Sequence, residues 1–157
     1  MAVKVRRVTL WRAAVEDRPG VLAGALEPLA HAGIDLQVMV CYANPGQEGR
    51  ATIEVYPISP KRAVAAAQIG GFSASPTPVV LVEGDNKPGL GYSIANAVAW
   101  AGLNIRFLLA QVTGKKYSAI VGFETEADAQ KGALQIKKAH APLGTQSVKS
   151  RKRKKRK

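Results

Sequence analysis

Two short stretches, EDRPGVL at residues 16–22 and DNKPGLG at residues 85–91, set out the same residue types in the same order. In each, an acid and then an Asp or Asn precede a basic residue, a Pro-Gly pair and an apolar residue, and the second pair lies 69 positions after the first. The chemistry such a stretch offers is anion capture. The first amides of a helix lack intrahelical acceptors and carry partial positive charge, so a carboxylate or phosphate can sit against them. Glycine at Gly20 and Gly89 removes the side chain where a ligand would approach. Arg18 and Lys87, just before the prolines, have no acceptor on their side chains and cannot cap a helix. The amides therefore look to Asp17 or Asn86, to water or to an outside anion. A second reading of the same residues is structural: Pro-Gly makes a tight turn between a strand and a helix.

Nothing else in the chain has the spacing of a catalytic device. There is no Gly-x-Ser-x-Gly elbow, no phosphate loop ending in Gly-Lys-Ser/Thr, no His-Glu-x-x-His and no Cys-His partnership, so no enzyme activity and no cofactor are expected. Cys41 is the only cysteine, which excludes an internal disulfide or a cysteine metal cluster and leaves the reading of a small, half-buried strand residue. His31 and His140 lie in helical stretches without an acid or Cys at ligand spacing and read as surface histidines, with no metal site.

The elements that must position the two stretches follow from a repeat. EDRPGVLAGALEPLAHAGIDLQVMV aligns without a gap on DNKPGLGYSIANAVAWAGLNIRFLL, with Pro19 on Pro88, Gly20 on Gly89 and Gly33 on Gly102. Each copy reads as strand, helix, strand, strand, helix and a weak last strand. VTLWRAAV and PVVLVE are the first strands, nearly continuously apolar, and helices are expected to open at Pro19 and Pro88. Leu22, Ala25, Leu26 and Leu29 form one helix face; Leu90, Ile94, Ala97, Val98 and Ala101 form the other. Gly33 and Gly102 stop the helices. In the next strand Ile34, Leu36, Val38 and Val40 alternate with Asp35, Gln37, Met39 and Cys41, which predicts a single apolar row against the helices; Leu103, Ile105, Phe107 and Leu109 repeat it. RATIEVY and YSAIVGF are third strands, second helices follow Ser59-Pro60 and Thr125, and FSAS and TQSV are the last strands. The expected class is α+β: two ferredoxin-like βαββαβ units in tandem, each an antiparallel sheet with helices on one face. Residues 1–75 form the first unit, 76–148 the second and 149–157 a basic tail.

The net charge of +12 is concentrated at one end. KSRKRKKRK, with Lys149, Arg151, Lys152, Arg153, Lys154, Lys155, Arg156 and Lys157, holds 8 of the 23 basic residues, and residues 1–148 carry 15 basic against 11 acidic. Such a block has nothing to bury and is expected to be disordered; it suits salt-sensitive contact with nucleic acid or an acidic protein. Neither third strand carries the aromatic pattern of an RNA-recognition module. No apolar run approaches the roughly 20 residues of a membrane span, and no secretory leader is visible, so a soluble cytoplasmic protein is expected.

The repeated stretches resemble the start of ACT domains, small amino-acid-sensing modules marked by Asp/Asn-x-Pro-Gly-apolar, a helix, and a Gly-x-Asn/Asp-Ile turn into the second strand. The resemblance covers almost all of residues 3–148 as two copies and is similar to stand-alone tandem ACT proteins with no enzyme domain. It implies units that pair edge to edge, a homodimer, and small amino acids held at the seam. Carried over on the motif, the ligand residues are Asn86, Lys87, Pro88, Gly89, Leu90 and Asn104 in the second copy, and Asp17, Arg18, Pro19, Gly20, Val21 and Asp35 in the first. Gly84 and Val15 stand where a relevant histidine would be, a departure from the serine-binding pattern. An asparagine amide both donates and accepts whereas an ionised aspartate only accepts, which makes the second copy the better zwitterion site. The implied function is non-enzymatic, amino-acid-responsive regulation; the alternative is a dimeric scaffold that presents the basic tail.

Overall fold

The structure, a computed structural model, describes residues 3–141. Its strands are β1 (Lys4–Val8), β2 (Trp11–Glu16), β3 (Val38–Ala43), β4 (Arg50–Tyr56), β5 (Ser73–Ala74), β6 (Val79–Asp85), β7 (Phe107–Thr113) and β8 (Lys116–Gly122). The helices are α1 (Val21–His31), α2 (Lys61–Ile69), α3 (Leu90–Trp100) and α4 (Glu126–Ala139). They build two antiparallel four-stranded sheets, ordered β3-β4-β2-β5 and β1-β6-β8-β7. The α+β architecture with helices on one face of each sheet is the one the repeat predicts.

The tandem arrangement departs from two clean copies at the N-terminus. VTLWRAAV is not one strand: the chain breaks at Leu10, fully buried, into β1 and β2. β2 opens the first unit, whereas β1 crosses to the other sheet and pairs antiparallel with β6, Lys4 opposite Glu83 and Val8 opposite Val79. It takes the edge place that β5 takes beside β2 in the first sheet. That is the place expected for TQSV, which lies outside the described residues, as does the tail at 149–157. The expected division between residues 75 and 76 is therefore crossed by the first strand of the chain. Val5 explains the crossing locally, because it faces the α3/α4 side and joins the core of Val80, Val82, Ile94, Val98, Val121, Phe123 and Ile136.

The two sheets do not run on from one another within the chain. They pack face to face, with Leu10, Val79, Leu81 and Ile120 buried between them and Val8, Val38, Val40, Tyr56 and Phe107 around the rim. Helices cover the outer faces. β4 and β6 are thus buried on both sides; VVLV accordingly lacks the polar alternation of a half-exposed strand, whereas RATIEVY keeps it and buries Thr52 and Glu54 between the sheets. A polar link also crosses, since Arg6 of β1 donates to the Tyr56 hydroxyl at 3.5 Å, and Arg12 of β2 donates to the hydroxyl of Thr77 in the connection between β5 and β6 at 3.2 Å.

This sandwich corrects the single apolar row expected after α1. Ile34 and Leu36 pack into the helix-side core, but Val38 and Val40 pack against the other sheet. Residues 34–37 are not part of a strand, so the period-2 alternation does not carry through them. The second copy does the same, with Leu103 and Ile105 on the helix side and Phe107 between the sheets. β3 and β7 are the outer strands of their sheets. Cys41 on β3 is exposed rather than half-buried, since it lies on an edge strand. Met39, Tyr42, Leu108, Leu109 and Val112 on these edges are exposed as well, as are Tyr92 and Trp100 on α3. Trp11 packs on the first core, while Trp100, 85% exposed, does not pack on the core of this chain.

Candidate functional site at the second helix entrance

The repeated Pro-Gly pairs are turns that lead into helices, and the helices open two residues after the prolines at which they were expected to open. α1 and α3 begin at Val21 and Leu90, after the glycines. Gly20 lies at φ 86, ψ −13 and Gly89 at φ 82, ψ 0, while Val21 and Leu90 donate their amides back to the carbonyls of Arg18 and Lys87 at 3.3 and 3.2 Å. Proline at the second position and a left-handed residue at the third make a type II β-turn, and that third position favours glycine. The glycines thus have a conformational reason that the ligand reading did not supply. A Cβ at either would meet nothing within 4 Å, so the space above both turns is open.

Neither helix receives a side-chain cap. Asp17 and Asn86 do not cap; their backbone amides are pinned to the carbonyls of Gly49 and Lys115 at 2.9 and 2.8 Å. Leu90, expected to offer its amide, has given it to the turn. In α3 the first-turn amides without an intrahelical acceptor are Gly91 and Tyr92. Beneath them lies Tyr117, whose hydroxyl is buried without a hydrogen-bond partner among the described residues, 3.7 Å from where a Cβ on Gly91 would stand. Burial holds its phenol above the ordinary tyrosine pKa.

A cavity of about 430 Å³ opens beside this entrance, lined by Asp85, Lys87 and Leu90 on one side and Lys138, His140 and Val3 on the other. The Asp85 carboxylate, held below its usual range by the hydrogen bond and charge of Lys116, stays ionised. His140 uses Nδ1 on the Ile136 carbonyl at 2.7 Å, and its Nε2 is buried without a partner among the described residues. Two ammonium groups, one carboxylate and an imidazole therefore surround the space, a set that complements a zwitterion. The β6–β8 register, Asp85 opposite Lys116, and the end of α4 position this wall. Sequence reasoning missed Asp85, Lys138, His140 and Tyr117, since three of the four come from chain segments far from the motif.

The structure brings Lys87 and Leu90 to the cavity but not the two asparagines together. Asn86 precedes α3 and Asn104 follows it, and the 11-residue helix between them is about 16 Å long. Both are exposed. In the first copy Asp17 and Asp35 are likewise separated by α1, and Arg18 folds back on Glu16 at 3.3 Å. Arg106, immediately before β7, is paired with Glu124. Among the described residues no His, Cys, Asp and Glu cluster has metal-binding geometry, and no helix is long and apolar enough to cross a membrane.

With this geometry in place, solved structures supply the comparison. The ligand-free regulatory subunit of aspartate kinase from Thermus thermophilus matches 88% of this chain over 97% of its own length, with a TM-score of 0.58 at 21% identity. The chain has a tandem ACT-type fold. The corresponding subunit from Thermus flavus matches with a TM-score of 0.56 at 19% identity, again over 88% of this chain and 97% of its own. Protein BT0572 of Bacteroides thetaiotaomicron reaches 0.67 at 16% identity, covering 82% of this chain and 87% of its own. No protein-family model and no curated protein matches the sequence. At these identities the likeness is one of fold, and it agrees with the ACT resemblance of the two Pro-Gly stretches.

Proposed function

We propose that this ACT-type chain is a non-enzymatic, cytoplasmic regulatory protein that binds a small amino acid at the entrance to α3, and that two copies complete the site. The single observation that carries the reading is the uncapped, open start of α3 beside a cavity bearing Asp85, Lys87, Lys138 and His140. The α-carboxylate is taken by the Gly91 and Tyr92 amides and Lys87, and the ammonium by Asp85. Asn104 lies a helix length away, so it enters the shell only from a second copy whose α3 runs antiparallel to the first. The edge of β7, unpaired among the described residues, and the exposed Tyr92, Trp100, Leu108 and Val112 give that copy an apolar surface to cover. The fold it shares with regulatory subunits of aspartate kinase supports a sensing role. The first copy, with Asp17, Arg18, Pro19, Gly20, Val21 and Asp35, serves in pairing or as a weaker site. The first unit comprises β2 to β5, and the second takes β1 together with β6 to α4.

The test is a thermal-shift screen of the amino acids on the full chain. A ligand at about 100 times its Kd stabilises the native state by roughly 2.7 kcal/mol, several degrees for a chain of this size. The shift should vanish in both Lys87→Ala and Asn104→Ala, and light scattering should report a dimer. A monomer that shows no shift with any amino acid refutes the proposal.

A further inference from the structure

A second cavity, of about 630 Å³, lies between the two sheets, away from both helix entrances. Its size falls within the roughly 300–1,000 Å³ usual for small-molecule sites. One end is apolar: Val40 from β3 faces Phe107, Leu109 and Ile120 from the other sheet. The other end is charged. Glu54, in the middle of β4 and only 1% exposed, accepts hydrogen bonds from Arg12 Nε at 2.9 Å and Ser75 Oγ at 3.4 Å, and Arg12 Nη2 is also 2.9 Å from it. All of these reach the same oxygen, Oε1. Arg12 is held from a second side by the Thr77 hydroxyl.

A buried ion pair of this kind adds little to stability, because apolar residues of equal volume would pack as well without the desolvation cost. Its placement on a cavity wall gives it another use. Arg12 and Arg106 both reach the cavity, each already ion-paired, and Glu54 is the one carboxylate among the residues that line it. Glu124, the partner of Arg106, does not line it. Tyr42 stands on the same wall, its phenol kept protonated by burial and by the negative charge of Glu54, and so available as a donor.

We infer that the inter-sheet cleft is a second binding site, for a small carboxylic acid with a branched or aromatic apolar body. The carboxylate pairs with Arg12 and Arg106 and takes the Tyr42 hydroxyl, while the body lies against Val40, Phe107, Leu109 and Ile120. Phe107 is placed for this by Gly122, since a Cβ there would stand 2.2 Å from its ring. Because residues from both sheets contact the ligand, occupancy bears on how the two units dock. This inference does not rest on the amino-acid site at α3.

The test is a two-dimensional NMR titration of the full chain with 4-methylpentanoate and phenylacetate, with phenylethylamine as the control lacking a carboxylate. The expected result is saturable shifts at residues 40–42, 54, 106–109 and 120 with both acids, and none with the amine. Arg106→Ala, at an exposed position that leaves the Arg12–Glu54 pair intact, should weaken acid binding about tenfold. Leu109→Trp, which fills the apolar end, should abolish it. The inference is overturned if the amine binds equally, if neither acid saturates by roughly 10 mM, or if both variants bind like the parent. Shifts confined to residues 87–92 would also overturn it while leaving the α3 site standing.

Discussion

The exchange of β1 makes a strong demand on the first eight residues. Deleting residues 2–8 removes the edge strand beside β6 and with it Val3 and Val5 from the second core and Val8 from between the sheets. Each of these side chains is largely buried. Full burial of a valine contributes about 1.5–3 kcal/mol, so three largely buried ones amount to about 4 kcal/mol. The Arg6–Glu83 pair at 2.8 Å, with both side chains about one-third exposed, adds at most a few tenths. Against a total stability of about 5–15 kcal/mol, the loss should move the urea midpoint far down or leave the chain partly unfolded. Hydrogen exchange adds a local readout: β6 amides that point to β1 should lose protection while β4 stays protected. A peptide of residues 1–9 supplied in trans should restore part of both. If the truncated chain keeps its stability to within about 1 kcal/mol and its β6 protection, β1 is an appendage and the exchange is refuted.

Other outcomes can be read from the same geometry. Gly89→Ala places a Cβ in open space but in the left-handed region, so it should cost about 1–2 kcal/mol, with Gly89→Asn costing less, as measured by denaturation; a neutral alanine variant would refute the turn assignment. Arg12→Met strands a buried carboxylate and should cost about 3–5 kcal/mol, whereas Arg12→Met with Glu54→Leu should return to near the parent's stability. For Tyr117 the folded pKa is raised, so its contribution is full below the unfolded value of about 10 and is lost as pH rises from there through the folded value. Denaturation across that window should show the decline, and Tyr117→Phe should lessen it.

Much of the fold was written locally. Pro-Gly pairs in register, period-3.6 faces ending at Gly33 and Gly102, and the Thr125 start, whose hydroxyl takes the Asp128 amide at 3.1 Å, each depend on neighbours within a few residues. RATIEVY coincides with β4, and the second-unit helix face is buried at Leu90, Ile94 and Val98 as its spacing requires. The candidate site was legible only in its first half. Lys87, Gly89 and Leu90 belong to the motif, but Asp85 gains its ion pair through strand pairing, and Lys138 and His140 come from the end of a helix some 50 residues later.

What the sequence determined by itself was the repeated unit, its class and the two open helix starts, because turns, caps and helix faces are decided by short-range sterics and hydrogen bonding. Tertiary structure alone decided which sheet receives the first strand, which side of the second strands becomes buried, and what surrounds Glu54. An apolar strand pattern states that a face will be covered and not what covers it. Burial is non-directional, so Val5, Val8, Val38 and Val40 carry no mark of the partner they will meet until the two sheets close on each other.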